Sequence, residues 1–178
     1  MLVGKLVTLR ARLDSDVPIL HTHLYEDVST RVRADSRAWH PIPLSSGVSY
    51  YAVQSPAADL ALFSVVHNAN GALAGEALLW GIDAHNRSAH VGLSLLPEYR
   101  GRGLATNVVM VLCRYGFSIL GLNRLQIETL SDNAAMIAAA QKVGFVVEGT
   151  HRSASWVNGA FCDDMHLGLL ASEWDPAT

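Results

Sequence analysis

Lysine is nearly absent from this chain. Of the 13 basic residues among its 178, all but Lys5 and Lys142 are arginine, so an anion site here must be built from guanidinium groups and backbone amides. Cysteine is as scarce. Cys113 and Cys162 form no CxxC pair and no metal-ligand pattern, which speaks against a disulfide framework or a metal centre. A reducing cytoplasm is the expected compartment. No apolar run approaches the roughly 20 residues needed to cross a bilayer, and the alternating N-terminus lacks the apolar core of a signal peptide. No membrane partner is expected. Positive charge is not in excess either: a formal net charge of -3 leaves no basic face for general nucleic-acid binding. Repeats, linkers and low-complexity tracts are missing, and residues 1–178 are expected to form a single domain.

What the chain does have is alternation. Residues 6–13 read as a first strand, and Asp14-Ser15-Asp16 with Pro18 as the start of a helix that buries Ile19, Leu20 and Leu24. Residues 29–46 are polar and punctuated by Pro41 and Pro43, and a second short helix is expected over 49–54. Strands follow at 61–68, 72–83 and 89–96, separated by polar turns. After Gly103 a helical stripe of Val108, Leu112, Tyr115 and Ile119 runs to a stop near Gly121. A strand at 124–130, a helix opened by Asp132-Asn133 and closed by Gly144, and a hairpin turning at Asn158-Gly159 complete the chain. The pattern is α/β (α+β) with a mixed sheet.

The informative stretch is 93–105, LSLLPEYRGRGLA: a strand, a proline stop, a glycine turn and a helix. Gly101 and Gly103 let backbone approach a ligand without Cβ interference. The helix that follows aims unpaired N–H groups and the positive end of its dipole at the turn. Arg100 and Arg102 add donors and charge, so the turn suits a pyrophosphate. Neither a P-loop nor a G-x-G-x-x-G dinucleotide spacing is present.

These residues resemble the coenzyme A signature R/Q-x-x-G-x-G/A of the GNAT superfamily of N-acyltransferases. Arg100, Gly103 and Ala105 meet it, and Leu93, Leu95 and Pro97 supply the preceding L-x-[VL]-x-P. Asn133, Lys142, Gly144 and Phe145 match a second family element. Within the superfamily the chain looks most like the RimJ/RimL branch. Ile82, Asp83, Asn86 and Arg87 match its turn, and Glu148 with Gly149 follows the second element. Asn158, Gly159, Phe161 and Asp163 match its late hairpin, and Leu169, Leu170, Ser172, Glu173 and Trp174 its closing segment. The resemblance implies a GNAT fold, a mostly antiparallel sheet of about six to seven strands flanked by about four helices. It also implies acetyl-CoA as co-substrate, no metal, and a primary amine as acceptor. That amine is a protein N-terminus in the first reading and an antibiotic or amino acid in the second. A catalytically weak acyl-CoA-binding domain is the third. A homodimer is compatible with the family, and no sequence feature establishes one.

By the same resemblance, Leu93 and Leu95 offer main-chain hydrogen bonds to the pantetheine arm, the Leu95 N–H doubling as oxyanion donor. The amides of Gly101, Arg102, Gly103, Leu104 and Ala105 hold the pyrophosphate, and Asn133 meets the arm from the other side. The acid and base are where the chain departs from its relatives. The family's tyrosine position is Ala140, the branch's serine position is Met136, and a carboxylate position is Ser155. Asp163, Ser155 and Glu76 remain as candidates by strand position alone. Cys113 and Cys162 are expected to be packing residues. His21 and His23, two apart on a helix, do not share a face. His90 and Ser94 lie on the strand of the arm, and Trp39, Tyr50 and Tyr51 fall where the family shapes its acceptor pocket.

Overall fold

Runs of Val, Leu and Ile between tight polar turns build the sheet seen in a computed structural model that describes residues 1–44 and 49–175. Its strands are β1 (Leu2–Val3), β2 (Val7–Arg10), β3 (Leu60–His67), β4 (Leu73–Asp83), β5 (Ser88–Leu95), β6 (Arg124–Leu130), β7 (Val146–Val157) and β8 (Ala160–Leu170). They form one eight-stranded sheet in the order β1-β2-β3-β4-β5-β6-β8-β7. The strand beyond the expected number is β1. It pairs only Leu2 with Leu9 and Val3 with Thr8, too short a run for alternation to reveal. Every neighbouring pair is antiparallel except β5 and β6. Asn158 and Gly159 close the β7–β8 hairpin with φ of 47° and 88°, both positive as the tight two-residue turn requires.

The described residues form four α-helices: α1 (Val17–Leu20), α2 (Val28–Ala34), α3 (Leu104–Arg114) and α4 (Ala134–Val143). Helix α1 is short because a wider π turn, His21–Tyr25, continues it. Leu20 and Leu24 are buried as expected, whereas Ile19 faces solvent. The same device alters α3. A π turn over Tyr115–Ile119 is closed by the Leu120 N–H on the Tyr115 carbonyl at 3.0 Å. Five-residue spacing rotates the stripe, and Ile119, expected inside, is 59% exposed. One further expectation is corrected: the helix expected at 49–54 is a turn at Tyr50 and Tyr51, closed by Ala52 N–H on Ser49 O at 2.9 Å. The polar stretch 29–46 contains most of α2, and its residues 45 and 46 lie outside the described residues.

Side chains alternate across the strands, so two faces follow from the register. Leu79, Val91, Leu125, Ile127, Leu167 and Leu169 are buried on the face that carries α3 and α4. A Cβ placed on Gly116 of the π turn would lie 3.2 Å from Leu125, which fixes how closely the α3 segment seats there. The opposite face meets the α1 segment at its β2–β4 end. There Asp16 accepts from Arg10, the Leu13 N–H and Ser64 at 2.6–2.9 Å. No helix among the described residues is long and apolar enough to cross a membrane.

Candidate active site

The parallel pair β5–β6 holds together over three rungs, Ser88 with Arg124, Ala89 with Leu125 and His90 with Gln126. Beyond them β5 pairs only with β4, and β6 only with β8. The two strands therefore part, and a gap opens toward their C-terminal ends. The Leu96 N–H donates to Ala74 of the β4 side at 2.9 Å. By alternation the main-chain groups of Leu93 and Leu95 point the other way, into the gap. Arg100 Nε donates to the Leu95 carbonyl at 2.9 Å, leaving the Leu95 N–H facing the opening.

At the wide end of the gap β5 runs through a 3₁₀ turn, Pro97–Tyr99, into the glycine turn. Gly101 and Gly103 have φ of 71° and 77°, and an added Cβ on either would meet nothing within 4 Å. Glycine is needed here for backbone conformation, not for internal space. Gly103 is the N-cap of α3 and offers no side chain to its first turn. The amides at Leu104 and Ala105 are left to an external acceptor, at the positive end of an eleven-residue helix. Arg100 and Arg102 are exposed around them. Helix α2 closes the wide end. Arg33 bonds Asp132 at 2.6 Å beside the start of α4. At the other end of α2, Asp27 accepts from Thr30; that hydrogen bond chiefly holds its carboxyl below the usual range, with Arg100 a lesser contributor.

Asn133 stands across the gap as the N-cap of α4. Its Oδ1 accepts from the Met136 N–H at 3.3 Å and its Nδ2 donates to Thr129 at 2.9 Å. The side chain is thus oriented from both ends. The three candidate acids are engaged elsewhere. Glu76 is buried against Arg12 at 2.7 Å, and burial, opposed by Arg12, pushes its carboxyl up. Asp163 accepts from the Ser153 N–H at 2.8 Å, steadying a residue whose φ is 52°. Ser155 is buried and donates to Asp164 at 2.7 Å. The positions of the family's two acids hold a fully buried Ala140 and a half-buried Met136.

His21 and His23 are not brought together: His21 is buried on Ser49 at 2.8 Å, and His23 is exposed. Among the described residues no group of three or more His, Cys, Asp or Glu is placed to hold a metal. Tyr50 and Trp39 join Tyr25 in an aromatic cluster, with centroids 5.9 and 6.1 Å from it, and the Arg31 guanidinium lies 3.9 Å over the Tyr50 ring. Tyr51 is fully buried, and burial pushes its phenol upward. Cys113 is buried in α3, its thiol pushed up to about 12 by desolvation. An open depression of about 460 Å³ at Ala61, Ile82, Arg87 and Leu122 includes none of the gap's residues.

Sequence reading passed over Glu128. Arg124, Gln126 and Glu128 alternate in a strand, and polar side chains at every second position mark a face no helix covers. Glu128 Oε1 lies 3.3 Å from His90 Nδ1 and 3.9 Å from His166 Nδ1. His90 stacks on Trp80 at 4.0 Å and meets Gln126 at 2.7 Å.

Residues 7–146 match the family described as Acetyltransferase (GNAT) domain. Among curated proteins, the putative ribosomal N-acetyltransferase YdaF of Bacillus subtilis is 34% identical over 106 residues, 60% of this chain and 58% of its own. Spermidine N(1)-acetyltransferase of Escherichia coli is 33% identical over 105 residues, 59% of this chain and 56% of its own. The chain thus spans under three-fifths of the length of these relatives. In fold it is similar to the crystal structure of spermidine N-acetyltransferase from Vibrio cholerae in complex with CoA and spermine. The TM-score is 0.81 at 22% identity, over 94% of this chain and 97% of that one.

Proposed function

The chain belongs to the acetyltransferase (GNAT) domain family, and on that footing we propose that it moves an acetyl group from acetyl-CoA to a primary amine by direct attack on the thioester. The observation that carries this reading is the parted β5–β6 pair leading into an uncapped helix N-terminus. An extended pantetheine arm can add to the exposed edge of β5 as a strand would, while its pyrophosphate meets the amides of residues 101–105 with Arg100 and Arg102 beside them. Asn133 borders the arm from the β6 side. The N–H groups of Leu93 and Leu95 face the thioester oxygen, and the Leu95 N–H is assigned to it as charge develops. The amine is itself the nucleophile, so a buried, protonated Cys113 has no part in the reaction.

A protein N-terminal α-amine is the acceptor class this site supports best. Toward the wide end of the gap Asp132 is matched by Arg33 and Asp35 by Arg31 and Arg37, and the buried Glu76 is matched by Arg12. A polyamine would need several uncancelled carboxylates. An α-amine titrates near pH ~8, against ~10.4 for a lysine side chain, so it presents more neutral nucleophile to a site with no strong base in place. The compartment proposed is the cytoplasm, where the two free thiols stay reduced.

The test is release of free coenzyme A from acetyl-CoA across N-terminal peptides, polyamines, amino acids and aminoglycosides. Saturable release with peptides is expected. A preference for spermidine or an aminoglycoside would replace the peptide reading with the small-molecule one. Tight acetyl-CoA binding with no turnover on any amine would leave a binding domain, as the loss of both family acids at Met136 and Ala140 allows.

A further inference from the structure

Helices α3 and α4 seal one face of the sheet over the gap, so an amine can reach a thioester held there only from the opposite face. The first positions beyond the last β5–β6 rung that point to this face are Gly92 on β5 and Glu128 on β6. Gly92 carries no side chain, and a Cβ there would lie 3.0 Å from Leu78 Cδ2 and 3.7 Å from Trp80 Cδ1. Leu78 and Trp80 thus lean over the bare backbone as an apolar shelf, and Trp80 is 40% exposed.

The Glu128 side chain is 42% exposed, and His90 and His166 both make their nearest approach to it at Oε1, at 3.3 and 3.9 Å. Its neighbours on the face are Gln126 and Arg124 of its own strand, His90 of β5 and His166 of β8, with the ring of His151 of β7 tilted against that of His166 at 4.0 Å. Arg124 is already committed to Glu148. Burial holds His90 below its ordinary pKa, so it is neutral at neutral pH. Among the described residues no guanidinium pairs with Glu128, unlike Asp132 and Asp35 toward the wide end of the gap.

We propose that Glu128 is the recognition point for the acceptor: its half-exposed carboxylate binds the substrate's primary ammonium at the apex of the gap, while the carbon next to that nitrogen lies against Trp80 and Leu78. This rests on the transferase reading above and adds to it the residue that selects a cationic nitrogen with an apolar flank. His90 and His166 position the carboxylate. A single uncancelled charge suits one ammonium and gives a second no partner.

Glu128→Gln keeps the shape and removes the charge. Loss of one charge-assisted hydrogen bond should raise KM for the amine roughly 10- to 100-fold at neutral pH, with kcat changed far less and acetyl-CoA affinity, read by calorimetry, unaltered. The KM difference should close as pH passes the amine's own pKa, because a neutral amine gains little from a carboxylate. Glu128→Asp, which keeps the charge one methylene short, should fall between the two. Equal KM values for Glu128→Gln and wild type at neutral pH would overturn the assignment alone. Wild-type protein that binds acetyl-CoA but releases no coenzyme A with any amine would overturn the transferase reading and this assignment together.

Discussion

Replacing Arg12 with methionine would leave the Glu76 carboxylate inside the protein with no counter-charge. The two side chains are 3% and 6% exposed and meet at 2.7 Å, and Arg12 also donates to the Tyr51 carbonyl at 3.2 Å. Removing one partner of so buried a pair costs about 3–5 kcal/mol, most of it the penalty of the charge left behind. The sign of the pH dependence follows from Glu76. Burial already raises its folded pKa, and losing Arg12, the main opposing influence, raises it further. A raised folded pKa contributes stability that is present below the unfolded value and lost as pH rises through the folded one. The deficit of Arg12→Met should therefore be smallest near pH ~4.5 and grow toward neutrality by up to about 1.4 kcal/mol per pH unit. Urea unfolding at a series of pH values reads this directly. The double variant Arg12→Met with Glu76→Leu should recover most of the loss, since an apolar pair of similar volume needs no desolvated charge. A deficit under about 1 kcal/mol, or one that does not change with pH, would refute the reasoning.

Gly103→Val should leave the fold in place, with a strain cost of about 1–2 kcal/mol at φ 77° and no clash, yet lower acetyl-CoA affinity more than roughly tenfold because the α3 amides turn away. Unchanged affinity by calorimetry would remove the turn from the site. A thiol reagent should modify folded protein at Cys162 only, since Cys113 is buried with its thiol near 12, and reach the second thiol in denaturant; two fast-reacting thiols in the folded protein would contradict this. Asp16 resists the upward push of burial through bonds from Arg10, Leu13 and Ser64, which hold it at about 2. Its stabilisation is present above the unfolded value of 3.8 and lost as pH falls toward 2. Urea unfolding at pH 5 and pH 2 should show wild type losing about 1–2 kcal/mol that Asp16→Asn never had.

Strands β5 and β6 could be read from the chain because their buried positions alternate, and β7 and β8 because Asn158-Gly159 marks the turn between them. The α4 boundaries could be read because Asn133 and Gly144 are cap residues at its two ends. Helix α2 could not. Its inward residue is Arg31, spread over Tyr50 and Tyr25 at 3.9 and 5.6 Å, so its packing is cation–π and leaves no apolar stripe. The burial of Ile119 failed for a related reason, since the π turn over Tyr115–Ile119 breaks the 3.6-residue phase that the stripe assumes. At the site, the glycine turn was legible because its chemistry is local. Glu128 was not, because His90 and His166 lie 38 residues away on either side and only the sheet order β5-β6-β8 makes them neighbours. Asp163 and Ser155 are candidates by strand position, and position does not tell that a backbone N–H and a cross-strand carboxylate already use their side chains.

The three rungs joining β5 to β6 have a mechanical consequence. On one side, β1 to β5 form a meander; on the other, β6 pairs with β8 of the β7–β8 hairpin, and both blocks are held along most of their lengths by antiparallel contacts. Along the sheet the two share only this seam, buttressed by α3 and α4. An extended ligand laid in the gap continues the ladder where the protein stops it and acts as a removable ninth strand that locks the halves into one plate. On the proposed reading its departure would leave them joined by a seam of three rungs.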